Sequence, residues 1–225
     1  MEIGIGTGQL ALGLHAAGVD VTGVDRSASM LSRVGAKAGG VPRFPLVVGD
    51  ATELPLRDGV FGAAYFRWIL HLIRAWPGAM GEAVRVVGPG GVIAGAIGGM
   101  QGTKYETQRH FESLAGVNSA PIGLPWQAWD ALDAHMVSLG CAVRTLPAFD
   151  DPAQRSLAEF IRAIEDDVYS WTWKLDADAR IGCARQTRTW AQERFGDLDA
   201  VHDVAHIEWH AYGVGRRTAS SSRTP

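Results

Sequence analysis

MEIGIGTGQLALGL, residues 1–14, sets three glycines at alternate positions, Gly4, Gly6 and Gly8, between a short apolar stub and a helical pattern. Glycine there permits a tight turn at positive φ and lets a ligand come close to the backbone. A nicotinamide-binding turn has the form G-x-G-x-x-G, but Gln9 stands where its third glycine belongs. A phosphate-binding loop needs Gly-Lys-Ser/Thr, and the turn lacks it. The turn therefore reads as a site for a nucleotide-like ligand whose phosphate need not be gripped.

Working outward, short apolar runs alternate with helical spacing over the first hundred residues. VDVTGVD (19–25), FPLVV (44–48), GAAYF (62–66) and GVIAGAI (91–97) read as strands. Most are apolar on both sides of the alternation, as strands covered on both faces must be. QLALGLHAAG, SASMLSRVGAKA and AWPGAMGEAVRVV carry helical spacing between them, and Gly88-Pro89 stops the last. Strand–helix–strand repetition implies right-handed crossovers and a parallel, doubly wound α/β sheet. Past residue 100 the spacing predicts helices over about 104–115 and 126–139, then a strand, CAVRTLPAF (141–149). SLAEFIRAIEDDVYSWTW (156–173) and ADARIGCARQTRTWAQERF (177–195) read as two longer helices, and VAHIEWHAYGV (204–214) as one closing strand. The expected organisation is a single domain, 1–214. Its two halves are 1–100 and 101–214, with a helical insertion over 152–200. A small, polar, disordered tail follows at 215–225.

Two carboxylates fall at telling distances from the turn. Asp25 ends the second strand, where a carboxylate can accept both hydroxyls of a ribose. Gly49-Asp50-Ala51 ends the third strand at the same edge of the sheet, the crevice in which open α/β sheets bind ligands. Asp50 can accept from an exocyclic adenine amine while the Ala51 amide donates to a ring nitrogen. The blander alternative is that each aspartate merely caps a following helix or turn.

EIGIGTG, VTGVDRSASML, VVGDATELPLRDGVFGAAYFRWILHL and VGPGGVIA, in that order, resemble the class I S-adenosylmethionine-dependent methyltransferases, in particular their quinone-biosynthesis-like branch. The resemblance is close over residues 1–98 and holds only in outline beyond. It implies a Rossmann-like, mostly parallel sheet of about seven strands, with helices on both faces, an antiparallel last strand and an extra helical segment in the C-terminal half. By the same resemblance, Glu2 and the backbone at Gly4, Gly6 and Gly8 would hold the methionine part of S-adenosyl-L-methionine. Asp25 would take the ribose, Arg26 and Met30 would flank the adenine, and Asp50 with Ala51 would read its edge. Phe66 and Arg67 would lie beside the sulfonium. Gly62 departs from the family, which usually has an acidic residue there. Related chains also carry a few dozen residues before the glycine turn where this one has three, so the expectation is a fragment or a chain started at the wrong codon.

Methyl transfer from a sulfonium needs no nucleophile on the protein, although an oxygen or nitrogen acceptor can require a base. His71, in WILHL just after the fourth strand, is the candidate base; the alternative is a surface or capping histidine. The chain has eight tryptophans. Trp126, Trp129, Trp171, Trp173 and Trp190 belong to the later region, where they either fill core or cover an apolar or ring-bearing acceptor. Tyr169 and Trp173, four apart on one expected helix, are the first choices for the second role. Two attractive patterns are declined. His202, His206 and His210 have metal-ligand spacing only on a helix, whereas the residues around them alternate at strand period. Glu165-Asp166-Asp167 reads as a solvated helix face.

A net charge of −3, with no long basic run, gives no sign of nucleic acid or an anionic membrane as partner. Cys141 and Cys183 are far apart, no apolar run reaches the length of a membrane span, and nothing resembles a signal peptide. A reduced, cytoplasmic protein acting on a small molecule is expected. Two rivals stay open: a non-catalytic cofactor-binding remnant, motivated by the short start, and a nicotinamide-dependent oxidoreductase. Gln9 and the absence of a Tyr-x-x-x-Lys pair count against the latter.

Overall fold

The computed structural model describes residues 1–40, 44–99, 101–151 and 155–215; apart from Gly215, the expected tail lies outside them. The chain gathers into two compact units. The first comprises Met1–Gly98, Pro121–Pro147 and the segment from Glu208; the second comprises Gly99–Ala120 and Ala148–Ile207. The helical insertion expected over 152–200 falls within the second unit.

In the first unit the strands are β1 (Glu2–Ile3), β2 (Gly23–Asp25), β3 (Leu46–Val48), β4 (Ala63–Arg67), β5 (Val92–Ala96), β6 (Cys141–Thr145) and, from the end of the chain, His210–Val214. The order across the sheet is β3, β2, β1, β4, β5, His210–Val214, β6. The first five are parallel to their neighbours, while His210–Val214 runs antiparallel to both β5 and β6. This is the mostly parallel seven-stranded sheet that the family resemblance implies. The reversal between β1–β2 and β1–β4 is a topological switch point, where such sheets open a crevice at their carboxyl ends.

Helices α1 (Ala11–Ala16) and α2 (Ala28–Lys37) bury Ala11, Leu31 and Val34 in one apolar cluster with Ile5, Val21 and Phe44. Helix α3 (Trp76–Val87) contributes Ala79, Met80, Ala83 and Val86 to a larger cluster with Ile3, Phe66, Ile93 and Tyr212. The sheet is thus covered on both faces. Its strands are tightly layered at Gly95, paired with Phe66 across β4–β5: a Cβ there would fall 2.0 Å from the Phe66 ring. Gly95→Ala should therefore lower the free energy of unfolding by about 1–3 kcal/mol, read as a lower urea midpoint at unchanged m.

In the second unit, α4 (Gly102–Ala115), α6 (Leu157–Glu165) and α7 (Ala177–Phe195) share a core of Phe111, Leu157, Phe160, Ile161, Ile164, Ala184 and Ala191. The intervening α5 (Trp129–Ser138) belongs to the first unit. Ser156 caps α6 in a reciprocal box with Glu159, and the Asp176 carboxylate caps α7.

Three sequence expectations change here. CAVRTLPAF is strand only to Thr145; Phe149–Asp151 forms β7, which pairs with β8 (Ala205–Ile207) in a separate antiparallel ribbon. VAHIEWHAYGV is accordingly two strands, β8 and β9 (His210–Val214), parted by Glu208 and Trp209, because the two pair with different partners. The helix expected over 156–173 stops at Glu165: Asp167 turns to φ +56°, and its carboxylate accepts the Thr172 hydroxyl at 2.8 Å. Tyr169 and Trp173 therefore share no helix. Tyr169 lies in the core of the second unit, stacked on Trp171 with centroids 5.4 Å apart. Glu165 and Asp167 end the helix, paired with Arg188 and Arg180. Among the described residues, no helix is long and apolar enough to cross a membrane.

Candidate functional site

The cofactor-site candidates and His71 lie in the first unit, and most cluster at the carboxyl ends of β1–β4. The glycine turn leaves β1 with Gly4, Gly6 and Gly8 at φ +71°, +55° and +73°, conformations that a β-carbon would strain. The three differ in their surroundings. Side chains of Ile69 and Val34 close off Gly4 and Gly8, whereas nothing lies within 4 Å of the Cβ position at Gly6. Gly6 is thus the point where a ligand can approach the loop.

Asp25 ties the rim together. Its Oδ2 accepts the Gly6 amide at 2.8 Å and its Oδ1 accepts the Ser27 amide at 2.9 Å. Its main-chain carbonyl accepts the amide of Gly49, next to Asp50, at 3.0 Å. An ionised carboxylate offers about four acceptor directions, so two remain for a ligand. The neighbouring Arg26 is exposed and Met30 is buried in α2. Asp50 is exposed; the amide and hydroxyl of Thr52 both donate to its Oδ1, at 2.9 and 2.7 Å, and hold its carboxyl below the usual range. Each aspartate makes the local contact that the capping alternative expects, binding the amide two residues on. Ala51 is half-buried against the main core.

Glu2 is 4% exposed, and burial pushes its carboxyl up to about 7. The Tyr65 hydroxyl donates to its Oε2 at 3.1 Å, the Ala11 amide also donates to it, and Arg67 adds positive potential. Tyr65 carries no sequence signal of this role beyond its place in β4. Phe66 is fully buried against Gly95, so at the rim it can offer only its main chain. The Arg67 guanidinium lies 3.9 Å from the centroid of the Trp68 ring. Trp68 itself holds φ +53°, a conformation costly for a bulky residue and tolerated where surrounding structure enforces it.

His71 sits in a 3₁₀ turn, Leu70–Leu72, beyond β4. Its ring stacks on Trp126 with centroids 4.0 Å apart, and burial drops its pKa to about 4. The imidazole is therefore neutral at physiological pH but a weak base. Trp68, Leu70, His71, Ile97, Gly98, Leu124, Pro125 and Trp126 line a shallow surface recess with no enclosed room for a water molecule, far short of the roughly 300–1,000 Å³ of ordinary small-molecule sites.

The remaining candidates are divided between the two units. Trp129 stacks on His210 at 3.9 Å, and His210 bonds Asp133 and Glu208. In the second unit Trp171 packs on Phe111, Trp190 stacks on His110, and Trp173 is exposed. In that unit's ribbon, His206 bonds Asp150 at 2.9 Å.

Comparison with known proteins places this arrangement. A family described as the methyltransferase domain matches residues 1–95. A malonyl-[acyl-carrier protein] O-methyltransferase of Geobacter sulfurreducens is 29% identical over 96% of this chain and 83% of its own length. A demethylmenaquinone methyltransferase of Thermus thermophilus is 33% identical over 64% of this chain and 74% of its own. A solved Haemonchus contortus phosphoethanolamine N-methyltransferase, in complex with S-adenosyl-L-methionine, matches with a TM-score of 0.55 at 18% identity. That match covers 96% of this chain but 48% of the other, and it is a likeness of fold alone. With the ordered motifs, the sheet and these relatives in agreement, the chain belongs to the class I S-adenosylmethionine-dependent methyltransferase family.

Proposed function

We propose that this chain transfers a methyl group from S-adenosyl-L-methionine to a small-molecule acceptor by in-line displacement, with the cofactor along the rim formed by the glycine turn, Asp25 and Asp50. The observation that carries this reading is Asp25, whose side chain holds the Gly6 amide while its carbonyl holds Gly49. Turn, ribose carboxylate and adenine-edge loop are thereby linked through one residue, and the open space at Gly6 fits a ligand passing over the loop. The bound cofactor supplies a methyl carbon activated by its sulfonium leaving group.

The protein's own residues bind and orient. Glu2 and the backbone at Gly4, Gly6 and Gly8 hold the methionine part, Asp25 accepts from the ribose, Arg26 and Met30 flank the adenine, and Asp50 and the Ala51 amide read its edge. The Phe66 main chain and Arg67 border the reacting end. A His71 whose pKa is about 4 is too weak a base to take a proton efficiently at neutral pH. It serves better as a neutral hydrogen-bonding partner that orients an acceptor already able to attack. The names of the two relatives, one an O-methyltransferase, fit a small or carrier-bound acceptor. Calorimetry should show one molecule of S-adenosylhomocysteine bound per chain. A folded chain that binds none would favour the non-catalytic remnant instead.

A further inference from the structure

The turn that carries His71 is clamped from outside by a strap that no sequence motif announces. The amides of Ile122 and Gly123 both donate to the His71 carbonyl at 3.0 Å, and the Leu124 amide donates to the Leu70 carbonyl at 3.0 Å. Gly123 lies so close to this turn that a Cβ on it would fall 2.2 Å from the carbonyl oxygens of Leu70 and Ile73. Only glycine can make that approach. Two residues beyond the last of these bonds, the strap lays the Trp126 indole on the His71 ring at 4.0 Å, tilted by 41°. Backbone clamp and ring stack thus fix both ends of one contact, and both rings line the same recess.

We propose that Trp126 is a positioning residue for the transfer reaction: delivered by the Gly123 clamp, its indole fixes the His71 ring and keeps water from it, so that a neutral imidazole faces the acceptor. The catalytic part of this inference rests on the methyl-transfer reading above; the control of His71 does not. Burial is the one cause of the lowered His71 pKa. Arg67, at the end of β4, and Arg74, beyond the turn, are the ionisable groups nearest in the chain, and the lowering comes from burial rather than from their charge. The other residues lining the recess carry no titratable side chain. What keeps the ring neutral is covering material, and Trp126, at 37% exposure, is the part of it whose ring lies against His71. A residue so exposed can be truncated with little risk to the core.

The test is the titration of His71 in the full chain, followed by NMR of ring-labelled histidine and assigned with a His71→Gln variant. In the wild type the midpoint should lie near 4. In Trp126→Ala it should rise by at least one unit toward the unperturbed value of about 6.5, and Trp126→Phe should return it most of the way to wild type. Gly123→Ala, which lifts the strap, should move it in the same direction as Trp126→Ala. S-adenosylhomocysteine affinity should stay within about twofold in Trp126→Ala, because Trp126 is not among the residues assigned to the cofactor. A folded Trp126→Ala chain whose His71 titrates as in the wild type would overturn the proposal. Failure of the wild type to bind S-adenosylhomocysteine would overturn the methyl-transfer reading while leaving the titration to judge Trp126.

Discussion

Asp25→Ala should weaken S-adenosylhomocysteine binding by about 1–3 kcal/mol, roughly 5- to 150-fold, when measured by calorimetry against the wild type. The basis is the number of groups that converge on this carboxylate. It would lose the ribose hydroxyls, and the Gly6 and Ser27 amides would lose the acceptor that holds them at 2.8 and 2.9 Å. The Gly49 bond runs to the main-chain carbonyl and should survive, so the third strand keeps its place and the variant should fold. Asp25→Asn is the informative control. It retains one acceptor oxygen, and its loss should fall between those of wild type and alanine. An alanine variant with wild-type affinity would remove the ribose assignment and, with it, the proposed orientation of the cofactor.

The second large effect is a dependence on pH set by Glu2. Its carboxyl, ordinarily near 4.5, is carried to about 7 by burial, so the folded protein holds a proton that the unfolded chain releases. Between those values the folded state binds more protons, and stability must fall as pH rises. The contribution is fully present below about 4.5 and lost as pH rises through about 7, amounting to about 3 kcal/mol at full ionisation. Glu2→Gln keeps an acceptor for Tyr65 and Ala11 without the charge. In denaturant melts it should match the wild type near pH 4 and exceed it by about 3 kcal/mol near pH 8. Cofactor affinity should move in the opposite sense. An ammonium group beside Glu2 favours the ionised form, so wild-type binding should strengthen by up to about tenfold from pH 6 to pH 8 and release a proton. Binding that is flat across this range would take Glu2 out of the methionine site.

Much of this could be read from the chain because the relevant signals are local. The strands of the first hundred residues are short apolar runs bounded by glycine, proline or aspartate, and the helices between them have clear apolar stripes. The glycine turn and Asp25 announce themselves by residue type and spacing, and they prove to be hydrogen-bonded to each other. The later half was harder because its strands are decided by partners rather than by pattern. Ala205–Ile207 and His210–Val214 alternate as one run, yet they join different sheets. Asp167 breaks a helix whose apolar spacing continues past it, using a carboxylate–hydroxyl bond invisible to periodicity. The strap over His71 was unreadable for a related reason: its three bonds are main chain to main chain, and PIGLPW carries no periodic signature of them. The place of WILHL after the fourth strand, together with the family resemblance, brought His71 forward as a base; its burial beneath Trp126, which lowers its pKa, has no signature in the sequence.

The place of β9 between β5 and β6 has a consequence for how the protein is made. As the chain leaves the ribosome, β5 emerges with one edge unpaired and keeps it while β6 and the whole second unit are synthesised. An exposed edge of this kind invites pairing with another chain. A stop codon ahead of His210 would therefore delete an interior strand rather than trim a border, leaving β5 and β6 without the partner that joins them. Such truncated products should be recovered from the aggregated fraction, and slower elongation before β9 should enlarge it.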